Sequence, residues 1–489
     1  IELGVPLAPD QVFRIGSVTK QFSAAGLLKL VESGKVSLAD PLSKYLKGYP
    51  NGNAITVRQL LDHTSGVKSY TNLPGVMDGP IRRDLDTAAL VDSFKGEPAD
   101  FAPGAGWAYN NSGYVLVGAV IEAASGQPWH RYLQQALFAP LGMTRTGYGD
   151  HAAIIPGHVR GYSMRDGKPT PARYLSMTQP HAAGALVSTV DDLLRWNRAL
   201  HGGLVLKPET YRQMVTPQGK AADNDSGFGI ERSTLRGQPR LAHGGGIFGF
   251  SSYLLYVPGP DITVVILQNS DEQVVPGQPG ADRLAVMLGA IALGDPYPEA
   301  KPIAVDAATL KQMEGVYRID DKTTRVLRLV DGGLTAQRTG GSRFPLVPIA
   351  TDSFVYGDSL TRLLIERDAA GAITGMRHFQ DGEGEGKVAA LTRDPLPAAR
   401  SAITLPRAAL ERVTGTYATG PAQMKVFLEG ATLKAQLTGQ PAFELFAESV
   451  TVFFLTVVDA TLTFAPASGP ATGVTLRQAG QVIEFKRMP

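Results

Sequence analysis

The C-terminal part of the chain contains two copies of one sequence module. The segment EGVY at 314–317 returns as TGTY at 414–417, and LTAQRTG at 334–340 returns as LKAQLTG at 433–439. Two apolar positions recur at the same spacing: Phe344 and Leu346 in the first copy, Phe443 and Leu445 in the second. Each copy holds many short strand-like runs and little helical periodicity. The repeat therefore predicts two small antiparallel β-barrels in succession, because closure of a sheet removes its exposed edges.

The chain changes character near residue 295, where its first domain is expected to end. Before this point helix-like segments with caps alternate with strand-like ones, and after it short β-rich runs dominate. The segments GDPYPEAKP (294–302) and RDPLPAARS (393–401) are typical of linkers, because closely spaced prolines resist helix and strand alike. We therefore predict three domains, at residues 1–297, 307–394 and 405–489.

Composition and charge exclude several classes of function. The 489 residues are 43% hydrophobic and 19% charged, as in ordinary globular proteins, and the net charge of +2 shows no excess that favours nucleic acid. The absence of cysteine excludes disulfides, thiolate metal sites and a cysteine nucleophile. No membrane span is predicted, because the longest apolar stretches fall short of the roughly 18 residues that a span requires.

The segment FRIGSVTKQF at 13–22 places a serine and a lysine three residues apart. Apolar residues at helical spacing from Val18 onward predict a helix over about residues 17–33. Ser17 would lie at its N-terminus, where free N–H groups and the helix dipole stabilise negative charge, and Lys20 would share its face. As a base, Lys20 would need a pKa about 3 units below its ordinary value. On this motif alone, an N-cap serine followed by a solvated lysine remains the alternative.

A second serine and lysine at the same spacing, Ser65 and Lys68 in HTSGVKSYTN, are interpreted as a decoy. Gly66 directly after the serine fits a turn better than a helix start, and LLDHTSG is typical of a helix ending. We therefore predict that Ser65 is a turn residue.

A third segment, PGAGWAYNNSGYVLVGAVIEAASG, places Tyr109 and Asn111 in a predicted turn just before a helix. A tyrosine near a cationic lysine can act as general base and then acid, and an asparagine amide can donate to and accept from a substrate amide. A loop tyrosine followed by a helix-capping asparagine is the structural alternative.

A fourth segment, RLAHGGGIFGFSSYLLYVP at 240–258, combines His243 with three glycines and a strand-like run. Gly245 and Gly246 would let a substrate backbone approach a strand edge closely. An N–H near Gly246 would complete an oxyanion hole with that of Ser17.

Rival motifs lack a fitting context. GGGIFG matches the dinucleotide pattern GxGxxG, but the strand-like run after it leaves no helix N-terminus for a pyrophosphate. The chain contains no GxSxG, which argues against an α/β-hydrolase elbow. His151 and His158 lie in a loop-like region without the carboxylate spacing of a metal site, so no metal is expected.

The motifs FRIGSVTK, LLDHTSG, YNNSGY, AAGALVST and HGGGIFGF, in this order and spacing, resemble those of the serine β-lactamase and penicillin-binding protein superfamily, in its branch of class C-like esterases and D-aminopeptidases. The resemblance covers residues 8 to about 295. It implies an α/β (α+β) catalytic domain with an antiparallel sheet flanked by helices, followed here by the two small lipocalin-like β-barrels. Because relatives carry a helix and two strands before the serine helix, the N-terminal part is expected to be missing from this sequence.

The resemblance also implies a role for each candidate residue. Ser17 would be the acylated nucleophile, Lys20 would assist its deprotonation, Tyr109 would shuttle protons and Asn111 would orient the substrate. The triplet HGG at 243–245 stands where many relatives carry K-T-G. A histidine, mostly neutral near pH 7, would anchor a substrate carboxylate less strongly than lysine, which favours amides or esters without that carboxylate.

The expected function is that of a cofactor-free serine hydrolase that acts through an acyl-enzyme on short D-amino-acid peptides or amides. A carboxylesterase with weak β-lactamase or D,D-peptidase activity is the alternative among enzymes, and a catalytically inactive binding module is the alternative outside them. The expected partner is a small peptide, amide or ester substrate, without nucleic acid, and homo-oligomerisation stays open. The compartment is unknown, with a periplasmic or secreted location slightly favoured over a cytoplasmic one.

Overall fold

A computed structural model describes residues 2, 4–165, 168–271, 279–357, 359–398, 400, 402–420, 422–438, 440, 442–478 and 481–488. Residues 1, 439 and 489 lie outside this described part. Residues 1 and 489 are at the outer edges of the predicted domains, and residue 439 is at the end of the second repeat segment. The chain divides into two compact units, Ile1–Tyr297 and Pro298–Pro489. The three-domain division with its exact boundaries stays a prediction.

The first unit mixes helices with short antiparallel sheets. Its helices are α1 (Thr19–Glu32), α2 (Val57–Leu61), α3 (Thr87–Asp92), α4 (Asn111–Ser125), α5 (Trp129–Leu133), α6 (His181–Gly184), α7 (Val190–His201), α8 (Pro208–Val215) and α9 (Ala281–Ala292). Its strands are β1 (Phe13–Arg14), β2 (Gly147–Tyr148), β3 (Tyr162–Arg165), β4 (Lys168–Pro171), β5 (Leu186–Ser188), β6 (Glu231–Leu235), β7 (Gln238–Ile247), β8 (Phe250–Val257) and β9 (Ile262–Gln268). Strands β6 to β9 form one sheet in chain order, β1, β5 and β2 form a smaller sheet, and β3 pairs with β4.

Helix α1 is the buried centre of the first unit, as its apolar spacing predicts. Phe22, Ala25 and Leu28 are fully buried, and α1 packs against α4 and α6. A 3-10 turn, Gly16–Val18, leads into the helix. The predicted helix is therefore confirmed, with a tighter first turn that carries Ser17.

The sheet of β6 to β9 is held between helices. Helix α9 covers β8 and β9 and contributes Ala285 and Ala290 to a small apolar cluster with Leu235, Leu255 and Val257. Strands β7 and β8 also contact the turn Gly16–Val18, which brings the HGGG segment next to Ser17. None of the helices in the described ranges is long and apolar enough to cross a membrane.

The second unit contains two antiparallel barrels in succession. The first follows helix α10 (Ala307–Gln312) and is closed by β10 (Gly315–Arg318), β11 (Thr324–Val330), β12 (Gly333–Arg338), β13 (Arg343–Ala350), β14 (Ser353–Tyr356), β15 (Arg362–Arg367), β16 (Ile373–Phe379) and β17 (Lys387–Leu391). The second follows α11 (Arg407–Glu411) and contains β18 (Gly415–Thr419), β19 (Ala422–Glu429), β20 (Thr432–Leu437), β21 (Phe443–Glu444), β22 (Phe446–Ala447), β23 (Val452–Phe454), β24 (Ala460–Ala465), β25 (Gly473–Gln478) and β26 (Gln481–Arg487). The end strands of its sheet, β21 and β22, are separated in the chain by Leu445 alone, so this barrel is nearly closed.

The repeat in the sequence corresponds to a repeat in the packing. Tyr317 and Tyr417 are both fully buried, and their hydroxyls donate to the carbonyls of Met313 at 2.7 Å and of Val413 at 2.8 Å. The predicted fold class is therefore confirmed: an antiparallel sheet flanked by helices, followed by two small antiparallel barrels.

Candidate active site

Ser17 and Lys20 form a hydrogen-bonded pair at the start of α1. The Nζ atom of Lys20 lies 3.0 Å from Oγ of Ser17. The residues are three apart, and one lies in the 3-10 turn while the other lies in the first turn of the helix, so both side chains emerge on one face. Sequence spacing alone predicted this shared face.

Lys20 is fully buried, and its surroundings are neutral. Its Nζ atom donates to Oδ1 of Asn111 at 2.9 Å and to the carbonyl of Ala183 at 2.9 Å. Burial lowers the pKa of Lys20 well below its ordinary value, because desolvation penalises the charged amine. The solvated lysine of the structural alternative is therefore excluded, and burial favours the free amine, which is the form that can accept a proton.

Asn111 is the first residue of α4 and not part of a preceding turn, which corrects the expectation for this segment. The helix is capped by Asn110, whose Oδ1 accepts from the backbone N–H of Gly113 at 2.8 Å. Because its neighbour caps the helix, the Asn111 amide is available for other partners. Its Oδ1 accepts from Nζ of Lys20, and its Nδ2 donates to Oγ1 of Thr71 at 3.0 Å. The backbone N–H of Asn111 donates to Oγ of Ser69 at 3.2 Å.

Ser69 and Thr71 are site residues that sequence reasoning missed. They lie in the segment HTSGVKSYTN, which was set aside as a decoy. The decoy interpretation itself is confirmed for Ser65, whose Oγ accepts from the N–H of Val67 at 3.4 Å in a turn, and for Lys68, which pairs with Asp100. The sequence signal that could have identified Ser69 and Thr71 was the run of polar residues directly after this turn.

Tyr109 covers the pair of Ser17 and Lys20. The centre of its ring lies 4.7 Å from Nζ of Lys20. The residue keeps 37% of its surface exposed, yet desolvation in the site raises the pKa of the phenol, and the nearby Ser17 only partly opposes this. Burial therefore favours the protonated phenol of Tyr109 and the unprotonated amine of Lys20.

Two neutral histidines flank Tyr109. The Nδ1 atom of His243 lies 2.6 Å from the carbonyl of Gly244, and since a carbonyl only accepts, Nδ1 carries the proton. Burial, and then the nearby Lys20, lower the pKa of His243 to about 4, so its expected neutrality at pH 7 is confirmed. His63, which sequence reasoning treated only as part of a helix ending, accepts from the N–H of Asn110 at 3.1 Å and lies 4.7 Å from the Tyr109 ring, centre to centre.

The glycines of β7 differ in what surrounds them. A Cβ at Gly245 would lie 2.1 Å from the carbonyl oxygen of Ile15, so this glycine permits close packing against the turn before α1. A Cβ at Gly246 would meet no atom within 4 Å. Gly246 lines the same cavity as Ser17, whereas Gly245 does not.

Ser17 opens into a cavity of about 310 Å³. Its walls are mostly apolar and include Tyr70, Met77, Ile81, Leu175, Ile247 and Phe248. Asn111 and Ala183 line it beside the serine. The cavity therefore presents the Ser17 hydroxyl and the Asn111 amide to a ligand with an apolar body.

Residues 1–287 match the family model described as Beta-lactamase. The chain belongs to the beta-lactamase family. Within that family it is 26% identical over 332 residues to D-aminopeptidase of Gluconobacter oxydans (strain 621H), a match that covers 65% of this chain and 60% of that protein. It is 29% identical over 324 residues to esterase EstB of Burkholderia gladioli, covering 55% of this chain and 80% of that protein.

A solved structure of a D-stereospecific amidohydrolase from Streptomyces sp. is similar at 30% identity and a TM-score of 0.52, over 59% of this chain and 88% of that one. Across the curated relatives that lead the comparison, the matches cover between 54% and 81% of those proteins. The superfamily resemblance is thus confirmed, and the similar proteins include ones named as an aminopeptidase, an amidohydrolase and an esterase.

Proposed function

We propose that this hydrolase transfers the acyl group of a short D-amino-acid amide or peptide first to Ser17 and then to water. The observation that carries the proposal is the hydrogen bond between Ser17 and a buried lysine whose pKa is well below its ordinary value. A nucleophilic serine needs a base that is unprotonated at working pH, and Lys20 meets this requirement.

Acylation uses Lys20 and Tyr109 as the groups that transfer protons. Lys20 takes the Oγ proton of Ser17 as the bond from Oγ to the substrate carbonyl carbon forms. The N–H groups of Ser17 and Gly246 stabilise the resulting oxyanion. As the C–N bond breaks, Tyr109 gives its proton to the leaving amine and recovers one from Lys20.

Deacylation reverses these transfers. A water molecule attacks the ester carbonyl and gives a proton to the Lys20 and Tyr109 pair, and the proton returns to Oγ of Ser17 as the acid leaves. Asn111 holds Lys20 in place and presents its amide to the substrate. A catalytically inactive binding module would have no use for a lysine buried in neutral form, which argues against that alternative.

Two observations support the substrate class: the uncharged His243 and the names of the similar proteins. His243 is neutral, so it supplies no cation for a substrate carboxylate at the position where K-T-G would stand. Proteins named D-aminopeptidase and D-stereospecific amidohydrolase are among the similar ones. A carboxylesterase is the second candidate, because the cavity is largely apolar and an esterase is also similar.

The experiment compares D- and L-phenylalanine p-nitroanilide with p-nitrophenyl butyrate, using the wild-type enzyme and Ser17→Ala. We expect the D-anilide to be cleaved faster than the L-anilide, with both anilide and ester turnover lost in Ser17→Ala. Turnover of the ester alone would favour the carboxylesterase, and preference for the L-anilide would contradict the proposed stereochemistry.

A further inference from the structure

Asp271 lines the same cavity as Ser17, and one of its carboxylate oxygens has no hydrogen-bond partner in the part of the chain that the structure describes. That oxygen, Oδ1, is buried. The other oxygen, Oδ2, accepts from the backbone N–H of Gly249 at 2.7 Å and from Oγ of Ser163 at 2.7 Å. The protein therefore binds one carboxylate oxygen, Oδ2, and the other, Oδ1, has no partner among the described residues.

The position of Asp271 is fixed by neighbours from β3 and from the turn between β7 and β8. Its backbone N–H donates to the carbonyl of Tyr162 in β3 at 3.3 Å, and Ser163 in the same strand binds Oδ2. Gly249 forms the turn between β7 and β8 with φ of 80°, and a Cβ there would lie 2.4 Å from Cβ of Ala172. Because only glycine fits this turn, the N–H that binds Asp271 is held rigidly.

The described residues that line the cavity supply no charge that balances this carboxylate. Among the described residues that line it, Asp271 is the one acidic or basic side chain. Burial lowers the pKa of the nearby catalytic-site lysine, Lys20, well below its ordinary value, which favours its uncharged form. A carboxylate that is partly buried without a cation is costly, and a bound cation relieves that cost.

We propose that Asp271 binds the α-ammonium group of the residue that is transferred to Ser17. This inference rests on the proposed function and deepens it, because it restricts the acyl group to one with a free amine. The apolar walls accept the side chain of that residue, Ser17 meets its carbonyl, and Oδ1 of Asp271 accepts from its ammonium. A simple ester or an N-acylated peptide has no group for Oδ1.

The test uses two anilides that differ only in the amine: D-phenylalanine p-nitroanilide and 3-phenylpropionyl p-nitroanilide. In the wild-type enzyme kcat/KM should be higher for the amine-bearing substrate by about 10- to 100-fold, the range expected for a hydrogen bond between charged groups. Asp271→Asn should remove this preference by slowing the amine-bearing substrate alone. Asp223→Asn, which removes an equal charge from an exposed side chain outside the cavity, should leave it unchanged.

A second measurement needs no variant. The ratio of the two kcat/KM values should fall as the pH rises through about 8, where an α-amino group loses its proton. Effects of pH on Lys20 act on both substrates alike and cancel in this ratio.

Equal rates for the two anilides in the wild-type enzyme, a pH-independent ratio, or an equal loss on both substrates in Asp271→Asn would overturn the inference. Each of these results leaves the proposed acyl transfer to Ser17 intact. Failure of the wild-type enzyme to cleave either anilide would instead contradict the proposed function.

Discussion

The Nζ atom of Lys20 lies 3.0 Å from Oγ of Ser17, and its other hydrogen-bond partners in the described structure, an amide oxygen and a backbone carbonyl, are uncharged. A lysine in this setting is more stable as the free amine, since no anion compensates its desolvation. The geometry thus places a lysine that favours its unprotonated form against the candidate nucleophile.

Lys20 and Tyr109 should behave as one proton-transfer unit. We expect Lys20→Ala and Tyr109→Phe each to lower turnover by about 10²- to 10⁴-fold, and the double variant to be little slower than the worse single one. The measurement is kcat/KM for one anilide in all four proteins. Lys68→Ala, at the lysine of the decoy motif, is the matched control and should keep full activity. Losses that multiply in the double variant would contradict a shared role.

The rate of Ser17 acylation should follow the protonation state of Lys20. Because burial lowers the pKa of Lys20 well below its ordinary value, the amine gains a proton only at a lower pH than an ordinary lysine does. The rate of labelling by a fluorophosphonate should therefore be constant from neutral to mildly alkaline pH and decline on the acid side. The variant His243→Asn should show the same decline of the labelling rate on the acid side, since His243 has a pKa of about 4. A rate that still rises toward pH 10.5 would indicate an ordinary lysine.

The two glycines of β7 should respond to substitution in opposite ways. Gly245→Ala places a Cβ 2.1 Å from the Ile15 carbonyl oxygen and 2.4 Å from Oγ of Ser252, so we expect a loss of stability of about 1–3 kcal/mol. Gly246→Val meets open space, so the melting temperature should hold while acylation slows by roughly 10- to 100-fold. Thermal melting and labelling rates test both. Normal acylation in a stable Gly246→Val would remove this position from the site.

Local patterns were sufficient to predict much of the fold. The spacing of apolar residues after Val18 predicted α1, and the repeat that includes Tyr317 and Tyr417 predicted two similar barrels. These features depend on contacts between residues that are close in sequence or on a pattern that occurs twice. The gap between β21 and β22 was not predictable, because it depends on the single residue Leu445, which separates the two end strands of a nearly closed sheet.

The site was predictable only in part, for a physical reason. Ser17, Lys20, Tyr109, Asn111 and His243 were identified from motifs, and the structure brings them together. The structural alternative gave helix capping to Asn111, whereas Asn110 caps the helix, because two successive asparagines have the same capping chemistry in the sequence. The carboxylate of Asp271 was missed because its place in the cavity depends on a turn at Gly249, far away in the chain and close in space.

The central claim is that Ser17 is the acylated residue. Intact-mass analysis after fluorophosphonate treatment should show one adduct on the wild-type chain, none on Ser17→Ala, and one on Ser65→Ala, the matched change at the decoy motif. An adduct that persists in Ser17→Ala, or that disappears only in Ser65→Ala, would contradict the account.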